Sequence, residues 1–323
     1  LKLPGDVDFH HNLITNMNDD AIYIDQKKGN TLKVHHNVFT RCLTCFSYIG
    51  KASAPLQGGP WYIYRNLIDL RQPTASFRPF HPDAQNEEGE REVFRHGWLH
   101  KSNGPSGNYH IFQNTILALN EKGPHAYFTH LYPKGTPLKP RTAFNNIFVG
   151  INHSATLRKP VVMLPSPGFK DIIDGNLYYR LGTDTHPAFQ CLEFNEDDKY
   201  APGHKFATLK AYYASTLFTE SQVHYPPGFE RNSFYKLPKF RNMTDYKLSS
   251  PFPFEDLRLA AGSPAIGKGL SFSDMPVLVA LLKKYDRVLP GSHRDIGCYS
   301  FNAPPLKVGV GERHSYPKIM ILT

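Results

Sequence analysis

An asparagine recurs at nearly regular intervals through the first half of the chain, each time in one local pattern. The pattern is an apolar or aromatic residue, two variable residues, Asn, one variable residue and an apolar residue. Successive asparagines are 25, 29, 48, 32 and 30 residues apart. The six positions are Asn12, Asn37, Asn66, Asn114, Asn146 and Asn176. Such a repeat indicates a solenoid in which each period is one coil and neighbouring coils bury a common core.

One interval is much longer than the others. Residues 71–96 fill it with polar and turn-forming residues, which predicts a loop inserted into one coil. Residues 121–141 and 181–245 have a similar character and predict two more insertions. Long loops of this kind wall the outer groove of a solenoid, so we expect a binding groove beside them.

A second series of short apolar segments lies between the asparagines, at 21–25, 45–49, 97–101, 126–130 and 161–165. Each alternates apolar and polar residues and ends in turn formers, which favours strands over helices. Two short strands per period predict an all-β fold, a right-handed parallel β-helix with coils about 4.8 Å apart. We expect coils over 1–180, and over 181–323 a continuation and capping region with short helices near 207–216 and 275–287.

The repeated asparagine has a structural explanation. At a bend, its amide can hydrogen-bond the equivalent amide of the next coil and satisfy polar groups that the bend removes from the sheet. Two of the repeats read FHHNLI and VHHNVF. We therefore expect His10 to stack on His35 and His11 to stack on His36, filling the bend, with ligand binding as the alternative role.

Composition limits the partners of this protein. The chain has 37 basic and 28 acidic residues, a net charge of +9 with histidine neutral, which favours an acidic partner. The basic residues are scattered and form no nucleic-acid-binding motif, so an anionic polysaccharide is the better candidate. No apolar run reaches the length of a membrane span. Because the chain begins directly at a coil, at Leu1, we expect it to be processed or partial, without its N-terminal coils or cap.

The chain has four cysteines, too few to indicate a disulfide scaffold at this length. Two of them form the CxxC of Cys42 and Cys45. Without a second such pair, we interpret these two as buried thiols and not as ligands of a metal or as a redox centre.

Two segments carry a resemblance to a known group of proteins. LRLAAGSPAIGKG at 257–269, followed by RDIGCYSF at 294–301, resembles the closing segment of bacterial secreted right-handed β-helix proteins of the pectate-lyase type. GWLHKSNGPSGNYHIFQNTIL at 97–117 is similar to a recurrent stretch of the same superfamily. The resemblance implies a secreted, cell-surface or periplasmic protein that acts on carbohydrate. It leaves polysaccharide lyases, glycoside hydrolases, epimerases and adhesins open, because the superfamily includes all of them.

Strand alternation predicts which side chains face the groove. If Ile22 points inward, Tyr23 and Asp25 point outward. If Leu99 points inward, Trp98 and His100 point outward and Lys101 ends the strand. His130 is the comparable end residue two segments later. We therefore expect Tyr23, His100 and His130 on one outer wall, beside Lys101.

For a polyuronate, β-elimination needs a positive group on the carboxylate, a base for the C5 proton and a donor for the leaving oxygen. The resemblance makes Lys101 the preferred base, because β-helix lyases often use a lysine. His100 and Tyr23 are the candidate donors. Arg41, Arg65 and Arg95 are the candidate carboxylate-binding residues, and Trp98, His130 and Tyr48 complete the predicted substrate-binding set. The alternative is that Lys101 only ends a strand in solvent.

An acidic stretch, NDDAIYID at 18–25, offers other chemistry. Asp19, Asp20 and Asp25 are candidate calcium ligands, and Asp19 with Asp20 is a candidate acid and base pair for an inverting glycosidase. Adjacent strand residues face opposite ways, so the pair works only in a turn, which Asn18 favours. Solvated turn carboxylates are the alternative. Apart from calcium we expect no cofactor, and specifically no organic one.

Overall fold

The computed structural model describes residues 7–24, 31–48, 60–70, 98–102, 109–120, 141–152, 162–164, 170–181, 189–191, 204–241, 257–271, 294–309 and 314–315. These residues form the strands β1 (Val7–His10), β2 (Leu13–Ile24), β3 (Leu32–His35), β4 (Val38–Tyr48), β5 (Trp61–Tyr64), β6 (Leu67–Asp69), β7 (Trp98–Ser102), β8 (Tyr109–Phe112), β9 (Thr115–Asn120), β10 (Thr142–Phe144), β11 (Ile147–Asn152), β12 (Val162–Leu164), β13 (Ile172–Asp174), β14 (Leu177–Leu181), β15 (Phe189–Cys191), β16 (Lys205–Phe206), β17 (Phe234–Tyr235), β18 (Lys307–Val308) and β19 (His314–Ser315). They also form the helices α1 (Leu209–Tyr213) and α2 (Thr216–Ser221).

Two large sheets, in which every strand pair is parallel, dominate the described part of the chain. The first sheet has the order β1-β3-β5-β8-β10-β13, and the second has the order β17-β14-β11-β9-β6-β4-β2 with β7 also paired to β4. From β1 to β6 the chain alternates between the sheets, so each pair of strands forms one coil on top of the last. This confirms an all-β, parallel β-helix-like arrangement.

Helices are few and short, as expected. The helix predicted near 207–216 is present as α1, whose N-terminus is capped by the side chain of Thr208. The helix predicted at 275–287 lies outside the described residues. No helix among the described residues is long and apolar enough to cross a bilayer.

The corner between the two sheets is built the same way in all six coils. One residue with φ between 51° and 67° precedes each repeated asparagine; these residues are His11, His36, Arg65, Gln113, Asn145 and Gly175. A single left-handed residue turns the chain sharply from one sheet to the other, at a cost of roughly 1–2 kcal/mol where the residue has a Cβ. Other interactions at the corner must offset that cost.

The asparagine ladder supplies those interactions, and its prediction is confirmed. The side-chain oxygen of Asn37 accepts from the main-chain nitrogen of Asn12 at 2.9 Å and from its side-chain nitrogen at 3.0 Å. The same two bonds recur at each step to Asn176. At the last coil the main-chain nitrogen of Asn176 donates to Ser233 Oγ, and the buried carboxyl of Glu230 accepts from the side chains of Tyr178 and Ser233.

The predicted insertion at 71–96 enters within a strand. In the first two coils β2 and β4 run without a break, whereas β4 pairs first with β6 and then with β7 in the third coil. The insertion therefore separates β6 from β7, and both halves keep their places beside β4. Cys42 and Cys45 of β4 are both free and buried, which confirms that they are buried thiols.

The buried apolar side chains form two clusters. Inside the coils lie large side chains such as Phe39, Trp61, Tyr109 and Phe148. A second cluster lies on the outer face of the second sheet, where Val38, Leu67, Ile147 and Leu177 are covered by Leu257, Leu259, Ala265, Ile296 and Val308. The segment that the sequence identified as closing the fold thus packs along the side of the coils.

Residues 294–309, which we call the C-terminal strap, follow the corner from late coils to the first one. The main-chain nitrogen of Gly297 donates to Asn145 O at 2.9 Å, and that of Gly309 donates to His11 O at 2.8 Å. The strap therefore links the fifth coil back to the first.

Candidate functional site

Three residues of the second sheet form one row across neighbouring coils. Tyr23 of β2 is in register with Ser47 of β4, and Ser47 is in register with Lys101 of β7. Tyr23 is 44% exposed, which confirms that it faces outward, whereas Ser47 is buried. Ile22, beside Tyr23, packs against the interior core. The backbone thus gives Tyr23 and Lys101 the same register position, two strands apart.

His100 does not lie on the outer wall, and the orientation predicted for it is wrong. Its side chain is fully buried, and its Nε2 is 2.8 Å from Tyr109 Oη. The reason is register: His100 pairs with Phe46, which pairs with Ile22, so His100 continues an inward-facing row. Leu99 is buried as well, so the alternation of apolar residues could not fix the phase of this strand.

The two described arginines of the predicted substrate site occupy different places. Arg41 lies in the middle of β4 with φ of 56°, half-buried, and its burial lowers the pKa of its guanidinium. Arg65 lies at the corner, where its Nε donates to Gln113 Oε1 at 3.2 Å. Arg65 therefore stands at the start of the second-sheet strands, and Tyr23 stands near the end of β2.

The acidic stretch is part of β2, so the predicted turn is not formed. The pairing of β2 with β4 shifts between Met17 and Asp20, which marks a β-bulge or irregularity beside the two aspartates. Asp20 is half-buried, the side chain of Asp19 is not described, and Asp25 lies outside the described residues. Among the described residues, no group of three or more His, Cys, Asp or Glu is arranged to hold a metal ion.

The remaining predicted site residues are not placed by the structure. Arg95 and His130 lie outside the described residues. Trp98 begins β7 in register with Thr44, and Tyr48 ends β4 in register with Ser102, but the side chains of Trp98 and Tyr48 are not described. Their roles in binding stay predictions.

The two HHN repeats form an array of four imidazoles, and the predicted stacking is confirmed. The rings of His10 and His35 lie 5.1 Å apart and nearly parallel, and those of His11 and His36 lie 5.2 Å apart. Within each coil the two Nδ1 atoms are 2.8 Å apart, so the Nδ1–H of one ring donates to the Nδ1 of the other.

Sequence reasoning missed the neighbours of this array. Asp8 Oδ1 is 2.7 Å from Nε2 of His35, and the Tyr64 ring stacks on His35 at 4.8 Å. The stack continues through Phe112 and Phe144 in the same register position. The signal for the rings was available, because Tyr64, Phe112 and Phe144 each stand two places before a repeated asparagine.

Burial disfavours the protonation of two members of this array, His35 and His36. Desolvation lowers the pKa of His36 to about 3, and the positive charges of His35 and Arg65 act in the same direction. Desolvation also lowers the pKa of His35, against the opposing effect of Asp8. The array thus fills the bend with stacked, hydrogen-bonded rings, and protonation is disfavoured at His35 and His36.

Comparisons of the chain with protein-family models, with curated proteins and with solved structures found no match. The assignment of a function therefore depends on the fold and on the residues described above.

Proposed function

We propose that this protein is a secreted or cell-surface enzyme that cleaves an acidic polysaccharide by β-elimination, built as a right-handed β-helix of the bacterial secreted superfamily. The row of Tyr23, Ser47 and Lys101 is the observation that carries the proposal. Neighbouring strands are about 4.8 Å apart, so the tyrosine and the lysine start roughly 10 Å from each other. That distance is within the combined length of a tyrosine and a lysine side chain.

The chemistry assigns a role to each of these two residues. Lys101 removes the C5 proton of a uronate, the electron pair forms the C4–C5 double bond, and the C4–O bond to the leaving sugar breaks. Tyr23 donates its hydroxyl proton to that oxygen. His100 has no part in these steps, because it is buried against Phe46 and Tyr109.

The substrate carboxylate must be neutralised before the C5 proton becomes acidic enough to remove. Arg41 is the described arginine in the same strand as Ser47, and Arg65 and Arg95 remain candidates. Calcium is the alternative neutraliser, with Asp19, Asp20 and Asp25 as oxygen ligands of the kind it prefers. The overall charge of +9 favours an acidic polymer in either case.

The test is to incubate the protein with polymers of galacturonate, glucuronate and mannuronate, with and without calcium. β-Elimination leaves a conjugated double bond, which absorbs ultraviolet light. We expect that absorbance to appear and to fall about 10²–10⁴-fold in Lys101→Met and in Tyr23→Phe, the usual contribution of a proton-transfer group.

Matched controls exist at the opposite end of the same sheet. Lys236→Met and Tyr235→Phe change exposed residues at β17, far from β2 in the strand order, and should leave the rate unchanged. New reducing ends without the absorbance would indicate hydrolysis, and binding without turnover would indicate an adhesin. Full activity in Lys101→Met would remove the proposed base.

A further inference from the structure

A cavity of about 360 Å³ opens at the end of the coils opposite to Tyr23. It lies between residues 231–234, which lead into β17, and the loop 267–270, with Arg294 at its margin. In the second sheet β17 and β2 are the two edge strands, six strand spacings or roughly 29 Å apart. The cavity is therefore separate from the row of Tyr23 and Lys101.

The charges that line this cavity are all positive. Arg231, Lys268 and Arg294 contribute cationic side chains, and none of the described residues lining the cavity is acidic. The carboxylate next to Arg294 belongs to Asp295. It already accepts from the main-chain nitrogens of Gly267 and Phe301, at 2.6 Å each.

Contacts with the rest of the fold position Arg231 through its guanidinium and Arg294 through its main chain. The guanidinium of Arg231 lies 5.5 Å from the ring centre of Tyr213 and 6.0 Å from that of Phe218. Arg294 is fixed through its main chain, because Arg294 O accepts from Gly269 N at 2.5 Å. A Cβ at Gly269 would lie only 2.8 Å from that oxygen, so this close approach requires glycine.

We propose that this cavity is a binding site for one small anionic group, either a carboxylate or a tetrahedral oxyanion such as sulfate or phosphate. The planar guanidinium of arginine can donate two hydrogen bonds to a carboxylate or to a tetrahedral oxyanion, and the ammonium of a lysine can pair with either anion. The volume is at the small end of ligand pockets, enough for one charged sugar or an inorganic anion. The site does not depend on the proposed lyase activity.

The experiment titrates the full chain with sodium sulfate, sodium phosphate and sodium glucuronate at low ionic strength, with glucose as the uncharged probe. Calorimetry measures the dissociation constants. We expect at least one anion to bind and glucose not to bind. Binding of sulfate or phosphate alone identifies an oxyanion site, and binding of glucuronate alone identifies a sugar-acid site.

Variants locate the binding. Lys268→Gln and Arg294→Gln should each raise the dissociation constant about five- to tenfold, the effect of losing one charge-assisted hydrogen bond. Lys210→Gln removes another exposed lysine, from α1 and outside the cavity, and should have no effect. The proposal is overturned if no anion binds at millimolar concentration, or if the cavity variants bind as tightly as the control.

Discussion

The side-chain oxygen of Asn114 accepts hydrogen bonds from the main-chain and side-chain nitrogens of Asn66, both at 3.0 Å, although 48 residues separate the two asparagines. Pairs separated by 25 to 32 residues have the same geometry. The corner of each coil is therefore insensitive to how much chain the coil contains. An insertion is tolerated wherever it leaves the corner and its ladder intact.

An interior rung of the ladder should matter more than an end rung. Asn114→Ala leaves the buried main-chain nitrogen of Asn66 unpaired and also removes the donor to Ile63 O and Phe112 O. We expect a loss of about 3–5 kcal/mol in the free energy of unfolding, since each buried polar group left unpaired costs about 1–3 kcal/mol. Chemical denaturation measures it.

Asn12→Ala is the matched control for that experiment. No described residue donates to the side-chain oxygen of Asn12, and Asn12 itself is half-buried. We expect a loss of only about 1 kcal/mol, the usual net worth of the bonds that it makes. Equal losses in the two variants would mean that the ladder does not support the coils cooperatively.

The corners were predictable from the sequence because the same short sequence pattern forms each one. A bend in a stack of coils must satisfy the same polar groups in every coil, so the same residue type recurs at each corner. The stacking of His10 on His35 follows from that recurrence alone. The insertion between Asn66 and Asn114 was visible for the same reason, as a long interval in an otherwise regular series.

The candidate sites were less predictable because they depend on contacts between distant segments. The burial of His100 follows from its register with Phe46, and five residues of local alternation contain no information on register. Arg231, Lys268 and Arg294 come from three separate segments that only the packing of the C-terminal region brings together. Neither arrangement leaves a periodic signal in the chain.

The imidazole array should make the fold sensitive to acid. The folded-state pKa of His36 is about 3, below its ordinary value of 6.5, so the unfolded chain binds a proton first as the pH falls. This contribution to stability is complete above pH 6.5 and is lost progressively between there and about pH 3, by at most about 1.4 kcal/mol per pH unit. Denaturation midpoints measured from pH 7 to pH 4 should fall accordingly.

His36→Asn removes this titration and keeps a residue that tolerates the left-handed corner, where φ is 53°. We expect the denaturation midpoint of this variant to fall less than that of the natural protein as the pH is lowered. His224→Asn removes an exposed imidazole and serves as the comparison. An unchanged pH profile in His36→Asn would show that other groups cause the acid sensitivity.

The C-terminal strap should detach if its tight packing against the coils at Gly297 is blocked. Gly297 has φ of 98°, and a Cβ there would lie 2.7 Å from Cδ1 of Ile147 and 2.8 Å from Oγ1 of Thr115. We expect Gly297→Ala to cost about 2–4 kcal/mol through backbone strain and overpacking. Gly262→Ala, with φ of 74° and open space around its Cβ, should cost only about 1–2 kcal/mol. The difference between the two denaturation midpoints isolates the packing of the strap, and no difference would mean that the strap adjusts without loss.

The buried carboxyl at the end of the ladder should make the fold sensitive to alkali. Burial raises the pKa of Glu230 to about 8, with the charge of Asp174 acting in the same direction and the hydrogen bonds from Ser233 and Tyr178 opposing it. At neutral pH Glu230 is therefore mainly protonated in the folded protein, whereas the unfolded chain loses that proton near pH 4.5. This contribution to stability is complete below pH 4.5 and is lost as the pH rises to about 8, by up to about 1.4 kcal/mol per pH unit.

Glu230→Gln keeps the size and the neutral state of the acid but has no proton to lose. We expect the variant to unfold at higher denaturant concentration than the natural protein at pH 8, and at about the same concentration at pH 4.5. Glu220→Gln, an exposed position on α2, controls for the loss of one carboxyl and should leave the pH dependence unchanged. If Glu230→Gln loses as much stability between pH 4.5 and pH 8 as the natural protein does, another group causes the loss of stability in alkali.

Asn176 joins Glu230 to the ladder, so the loss of stability in alkali should begin at that end of the coils. Amide hydrogen exchange of β13 and β14 would detect it first.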